Sequence, residues 1–525
     1  MIMHKLTRDI SILSLFLLAA TILTTTLVAC GGGGGGSASS TSTTPTGSAG
    51  SGSGTTTTSP TLSLAAQVGQ KLFFDQNLSG GKNMSCASCH SPQYAYGPPN
   101  SLSVQLGSDG VSEGQRAVPS LRYKSMTPEY NDSAENPDGV SQNAPGGGFM
   151  WDGRAASLAA QASLPLLNPI EMNNSSASAV VQTVQNASYA ALFQQAFGSN
   201  VFNNPTAAFA DIGAALQAFQ QEDQSFAPYS SKYDLYISNK QGGQLTAAEM
   251  RGLRLFNTIP DTGSGESGAG CVACHYSGAN FHGSVGLMTD FTYQALGVPR
   301  NDAEIPGNTK NNIPGGTDSV SPYASFDMGL CGPDNTLHAP SGSNSGAGNN
   351  QYNNTYMPDP YCGRFKVPTL RNVSTRNAFF HNGVFHSLVQ VLNFYNTRDT
   401  NPEFWYPSSG GNAANVTTNP SFALYPTYAA GAKINQYNDL PAQYQGNIDT
   451  EMPMGQGSNS ADPSYPNNTI NMGGTTIAEG ALPRAFHSAP QMSQQDMSDL
   501  LCFLQTLTDG YQPPVTPPTS GICVN

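Results

Sequence analysis

The chain has 525 residues, of which only 10% are charged, with 56 Gly and 37 Pro. Against a usual charged share of ~25% this argues against coiled coils and helical repeats, and a prior of ~150 residues per domain leaves room for two domains once non-globular ends are removed. Lys and Arg total 21 against 34 Asp and Glu, a formal charge of −13, the wrong sign for an unassisted phosphate-binding surface, so nucleic acid is a poor partner.

Lys5 and Arg8 precede an apolar, Thr-rich run over 10–29 that ends Leu27-Val28-Ala29-Cys30. This is the layout of an export signal, and its end resembles the lipobox of bacterial lipoproteins, which would leave Cys30 as a lipid-anchored N-terminus. A retained transmembrane helix and a soluble secreted protein are the alternatives. Residues 31–60 are almost all Gly, Ser, Thr and Ala, which reads as a flexible tether. The expected place is the cell envelope, as a periplasm-facing or surface lipoprotein in the outer membrane of a Gram-negative bacterium.

Apolar residues at helical spacing run from Leu62 to Phe74 and lead into Cys86-Ala87-Ser88-Cys89-His90. Further helical patterns cover Ala179 to Phe197 and Ala207 to Phe226. Thr246 to Phe256 then repeats the first arrangement, helix with Gly-x-x-Leu-Phe, ahead of Cys271-Val272-Ala273-Cys274-His275. Each C-x-x-C-H pentad lets two thiols form thioethers to haem vinyl groups while the adjacent His ligates iron. A zinc site would need a second ligand pair, and a thioredoxin-like motif would not need the His. The pattern predicts two covalent c-type haems, bound by Cys86, Cys89, Cys271 and Cys274, with His90 and His275 as iron ligands. Residues 307–361 and 407–483 are polar, Gly/Asn/Pro-rich stretches that read as surface insertions. Ser493 to Leu507 forms a closing helix, with Ser493 to Asp496 able to cap its start. Cys331, Cys362, Cys502 and Cys523 remain; proximity suggests 331 with 362 and 502 with 523, although three pairings are open, as are free buried thiols. The class is mainly α, one haem module internally duplicated, with long loop insertions and a boundary near Ser238 to Gly243. The expected division is 1–30 signal, 31–60 tether, 61–240 N-terminal haem domain, 241–512 C-terminal haem domain and 513–525 tail.

Beyond the pentads the chain carries Trp151-Asp152-Gly153-Arg154, Gln161-Ala162, Pro165-Leu166, Asn168-Pro169-Ile170-Glu171-Met172, Leu296-Gly297-Val298-Pro299, Lys366-Val367-Pro368-Thr369-Leu370-Arg371-Asn372-Val373, His381-Asn382-Gly383 and Leu507-Thr508-Asp509-Gly510-Tyr511. Jointly and in this order, over about Leu62 to Tyr511, these resemble the bacterial di-haem cytochrome c peroxidase family that includes MauG. The resemblance implies two cytochrome-c-like domains, the N-terminal haem peroxidatic and the C-terminal haem relaying electrons.

It further implies that Glu171 is the distal acid/base for O–O cleavage, with Gln161 beside it and Pro165 lining the pocket; a solvated surface charge is the plainer reading of a lone Glu. Trp151 matches a residue between the haems that could relay electrons, against a plain core aromatic. Arg154 could pair a haem propionate or a nearby carboxylate. Many members close the first haem with a distal His about sixteen residues after the pentad, where this chain has Leu106; Met126 is the one sulfur between Ser91 and Gly148. The expectation is a five-coordinate iron. Fourteen residues after His381 stands Tyr395, where peroxidases have Met and MauG has Tyr, so Tyr395 is expected to ligate the second haem, with a core ring as the alternative. His381 is expected to pack beside that haem; His282, His338, His386 and His487 show no ligand register. Calcium positions of the family fall on Ala117, Arg376 and Ala378, and Ala117 has no side-chain oxygen, so Ca²⁺ is no more than possible.

The leading function is reduction of hydrogen peroxide at the His90 haem with electrons from a small cytochrome c or cupredoxin. A MauG-like enzyme that stores oxidising equivalents across both haems and spends them on a protein or organic substrate is the second. A non-catalytic envelope electron carrier is the third.

Overall fold

The computed structural model describes residues 61–134, 144–259, 268–278, 286–301, 304–305, 326–332, 361–398, 402–406, 437–440, 442–449, 469–472, 475–478, 492–514 and 520–524. Residues 60–525 form one compact unit. The signal, Cys30, the tether, His282, His338, His487 and most of both long stretches lie outside the described residues.

The fold is mainly helical with little sheet. In the first half, α1 (Leu64–Phe74) is capped by Ser63, whose hydroxyl accepts from Ala66 N. Helix α2 (Cys86–Cys89) holds the first pentad. Helix α3 (Leu158–Leu167) carries Pro165 inside its span, and α4 (Ala177–Gln185) and α5 (Ala190–Phe197) follow. Sequence periodicity joins these last two, but Asn186 caps α4 with its backbone and the chain turns before Tyr189. Helix α6 (Pro205–Glu222) starts on Asn204, which accepts from the backbone N–H groups of Thr206 and Ala207, with Pro205 at the first position where no donor is needed. The second half contains α7 (Lys232–Ile237), α8 (Ala247–Asn257), α9 (Leu388–Thr397) and α10 (Gln494–Gln505). Capping boxes start α8, through Thr246 and Glu249, and α10, through Ser493 and Asp496. Short 3-10 turns and three antiparallel pairs accompany the helices among the described residues: β1 (Asn131–Ala134) with β2 (Ala144–Gly146), β3 (Tyr293–Gln294) with β4 (Phe365–Lys366), and β5 (Thr469–Met472) with β6 (Thr475–Ala478).

Two helix crossings set the core. Gly69 of α1 lies so close to α6 that a Cβ there would fall on the Ala215 carbonyl and 2.8 Å from Phe219 Cβ. Gly252 of α8 meets α10 in the same way, with the Asp499 carbonyl and, at 2.8 Å, Phe503 Cβ. The Phe of each Gly-x-x-Leu-Phe then packs across its crossing, Phe73 on Phe219 at 5.6 Å and Phe256 on Phe503 at 5.1 Å. One apolar cluster is drawn from residues 68–226 and another from residues 233–507. Disulfides join Cys331 to Cys362 and Cys502 to Cys523, and Cys86, Cys89, Cys271 and Cys274 are free. No helix among the described residues is long and apolar enough to cross a membrane.

The two stretches read as surface insertions are corrected in their described parts. Met328 and Cys331 from the first, and Tyr437, Leu440, Tyr444 and Ile448 from the second, are buried in the larger core. Apolar residues spaced too irregularly for α-helix or strand bury here in loop, turns and one short 3-10 segment, Ala442–Asn447, and the Gly/Asn/Pro background hides them.

Candidate active site

Each pentad closes a turn on itself, with His90 N and His275 N donating to the Cys86 and Cys271 carbonyls at 2.8 Å. The two imidazoles are oriented alike. His90 Nδ1 lies 3.1 Å from Tyr96 O and His275 Nδ1 lies 3.1 Å from Met288 O. A carbonyl partner fixes the proton on Nδ1 and leaves Nε2 as the ligating nitrogen. Burial pushes both imidazoles down to about 4, keeping them neutral, as an iron ligand must be.

Each pentad opens on a large cavity. Both cavities are lined mainly by apolar surface. Paired free thiols, a Nδ1-anchored His and a largely apolar cavity fit a covalently attached porphyrin in each.

Gln161, Pro165 and Glu171 line the first cavity with Cys86, Cys89 and His90. Helix α3 presents Gln161 and Pro165, and the turn that ends it at Asn168 presents Glu171. Asn168 Nδ2 donates to Glu171 Oε1 at 2.9 Å. Burial raises the Glu171 carboxyl, while Arg154 and the Asn168 bond hold it down. Leu106 lines this cavity with a hydrocarbon, 41% exposed. Sulfur is supplied to the lining by Met84, Met150 and Met172; Met126, the methionine singled out in the sequence, lies outside that lining.

Tyr395, on α9, lines the second cavity with Cys271, Cys274 and His275. Burial raises its phenol well above the ordinary range, with Cys271 and Cys274 adding to the effect and Arg398 opposing it, so ionisation there calls for a strong positive charge. His381 lines the same cavity, stacked on Phe365 at 3.7 Å with Nε2 3.0 Å from Asp439 Oδ2. His386 lies apart, on Glu304 and the Asn377 carbonyl.

Trp151 lines both cavities and donates Nε1 to Ala117 O at 2.8 Å. Beside it Arg116, lining the first cavity, grips Asp327 of the second through Nε and Nη2, both at 2.7 Å, and Asp152 through Nη1 at 2.8 Å. Arg154 pairs with Asp152 at 3.4 Å, so a protein carboxylate occupies one of its two expected roles. Of the calcium positions, the Ala117 carbonyl takes the indole and the Ala378 carbonyl takes the Arg376 guanidinium, which also reaches Val118 O at 3.1 Å. Among the described residues no group of three His, Cys, Asp or Glu is placed to hold a metal ion. Sequence reasoning passed over Lys124, Asp327 and Asp439, which line the cavities; two of them stand in the stretches read as insertions, where no motif marks them.

Residues 63–242 match the family described as di-haem cytochrome c peroxidase. The methylamine utilization protein MauG of Paracoccus denitrificans is 32% identical over 344 residues, 64% of this chain and 75% of that protein. The cytochrome c551 peroxidase of Nitrosomonas europaea is 25% identical over 339 residues, 65% of this chain and 75% of that one. Among solved structures, the di-haem peroxidase BthA from Burkholderia thailandensis superposes with a TM-score of 0.61 at 30% identity, covering 87% of this chain and 88% of that one. These likenesses meet the paired cavities and pentads in one conclusion: the chain is an oxidoreductase that belongs to the di-haem cytochrome c peroxidase family that includes MauG.

Proposed function

We propose that the first cavity reduces hydrogen peroxide to water, with electrons drawn through the second from a small redox protein such as a cytochrome c or a cupredoxin. The observation that carries this is Glu171, a carboxyl raised by burial in the cavity that also holds Cys86, Cys89 and His90. A haem held by Cys86, Cys89 and His90 would supply the iron that takes peroxide and passes it electrons. The chain supplies the protons' path. Glu171 takes the proton from the near oxygen of peroxide and hands it to the far oxygen as that leaves in water, while Asn168 holds Oε1 in place. Two electrons and two protons turn one peroxide into two waters, and Trp151, lining both cavities, relays the electrons. Leu106, in the position of a closing ligand, offers only hydrocarbon and would leave a haem there open to peroxide. Glu171→Gln should keep both haems, read by pyridine haemochrome content, and lose peroxide turnover by ~10²–10⁴; undiminished turnover would move the role elsewhere.

A MauG-like oxidation of a protein or organic substrate is the second reading, favoured by Tyr395 in the second cavity and by the likeness to MauG. In either case we take the chain as an internal duplication, 61–240 and 241–512, which the paired Gly69 and Gly252 crossings support. We also take it as held at the cell envelope through Cys30 and the 31–60 tether.

A further inference from the structure

A buried cation needs an anion or it must lose its charge. Among the described residues, Arg116 has Asp152 and Asp327, and Arg371 has Asp234. Three between the cavities are different. Lys366, 6% exposed, spends its ammonium on the Gly148 carbonyl. Arg376 spends its guanidinium on the Ala378 and Val118 carbonyls. Lys124 has no hydrogen-bond partner for its ammonium among the described residues. Lys124 and Lys366 line both cavities and Arg376 lines the second. The carboxylate that acts on Lys366 is Asp152, already held by Arg116 and Arg154. The three also repel one another, Arg376 acting on Lys124 and Lys124 on Lys366, and burial drives Lys124 down to about 8 and Arg376 to about 10.

Such a cluster is incomplete without anions delivered into the cavities. Each haem carries two propionate carboxylates, the one strongly anionic part of an otherwise apolar ring. We propose that Lys124, Lys366 and Arg376 form a single cation cluster that receives propionates of both haems and raises both reduction potentials together. The proposal rests on haem occupying both cavities. It makes these side chains positioning residues, and a charge shared by two cofactors sets their potentials in parallel. Positive charge held near an iron disfavours its oxidised form, so removing any member lowers both potentials.

The test uses the full-length holoprotein. Pyridine haemochrome analysis first establishes two haems per chain; a lower content overturns the haem reading itself, separately from this proposal. Spectroelectrochemical titration then follows each haem in Lys124→Gln and Lys366→Gln, with Lys124→Arg and Lys366→Arg as conservative variants. The exposed Lys240→Gln is the control. Expected is a downward shift of both midpoint potentials in each Gln variant, recovery with Arg, and no shift in the control. Haem content at two with potentials unmoved, or moved at one haem alone, overturns the shared cluster, as does an equal shift in Lys240→Gln. If Lys366→Gln does not fold, Lys124→Gln decides by itself, since no hydrogen bond to a described residue is lost with its ammonium. Resonance Raman of the propionate bending modes in that variant is then the second readout, and modes unchanged from wild type refute the contact.

Discussion

On the role proposed for Glu171, Asn168 shows how one short side chain tunes its carboxyl. Its amide bond to Glu171 Oε1 favours the ionised form and so works with Arg154 against the burial that raises the group. A proton acceptor must begin as carboxylate, so turnover falls as pH drops through the Glu171 pKa. Asn168→Ala removes one of the two opposing influences, the pKa rises further, and the acid limb of kcat/KM moves to higher pH; a pH–rate profile reads this, and an unmoved limb assigns it to a different group. At the second cavity, if Tyr395 ligates the second haem as proposed, Tyr395→Met exchanges a phenolate for a thioether, so the potential of that haem should rise and its magnetic circular dichroism should change to a His/Met signature. A wild-type spectrum already of His/Met or His/His type would remove Tyr395 from the ligand set and leave the peroxidase reading standing. Both residues were visible in the sequence because each stands at a fixed count from a local motif, Glu171 within Asn168 to Met172 and Tyr395 fourteen residues after His381. Lys124 and Asp439 were not, because contacts hundreds of residues apart bring them to the cavities and no short pattern encodes that.

At the scale of elements, the two close crossings make glycine a requirement. Alanine in a helix interior gains ~1 kcal/mol over glycine from propensity, yet at Gly69 or Gly252 its methyl meets a backbone carbonyl of the partner helix, which cannot rotate away. Separation of the helices loosens the aromatic packing of Phe73 on Phe219, or Phe256 on Phe503. Gly69→Ala and Gly252→Ala should therefore each destabilise by ~1–3 kcal/mol, measured by denaturant unfolding, and a stabilised variant would mean that the crossing relaxes freely. This pair of elements was legible in the sequence, since helix, Gly-x-x-Leu-Phe and pentad recur as a local string. The break between α4 and α5 was not, because apolar residues on its two sides keep the helical count while the turn at Asn186 takes up the chain. The buried loop segments around Met328 and Tyr437 escaped for a related cause: periodicity detects regular elements, and a loop that buries side chains has none.

The two apolar clusters meet at a polar knot, and Asp509 is its centre. Its carboxylate, 1% exposed, accepts from Tyr123 Oη at 2.8 and 2.9 Å, from Arg122 Nη1 at 3.1 Å, from Asn372 Nδ2 at 2.6 Å and from Ser230 N at 3.1 Å. Arg371 lies over the rings of Tyr123 and Tyr229 at 4.8 and 4.7 Å and binds Asp234, so the knot joins residues from 122 to 509. Removing one partner of a buried charge pair strands the other, at a cost of ~3–5 kcal/mol. Asp509→Ala should show this loss in denaturant unfolding, whereas Asp509→Asn, which keeps an acceptor oxygen, should lose less. The larger effect belongs to cooperativity. Each half has its own core and its own helix crossing, so with the knot untied nothing obliges them to melt together, and calorimetry of Asp509→Ala should resolve two transitions where the wild type shows one. A single transition lowered by under ~1 kcal/mol would place the coupling elsewhere, and the Arg116 bridge from Asp152 to Asp327 is the next link to cut.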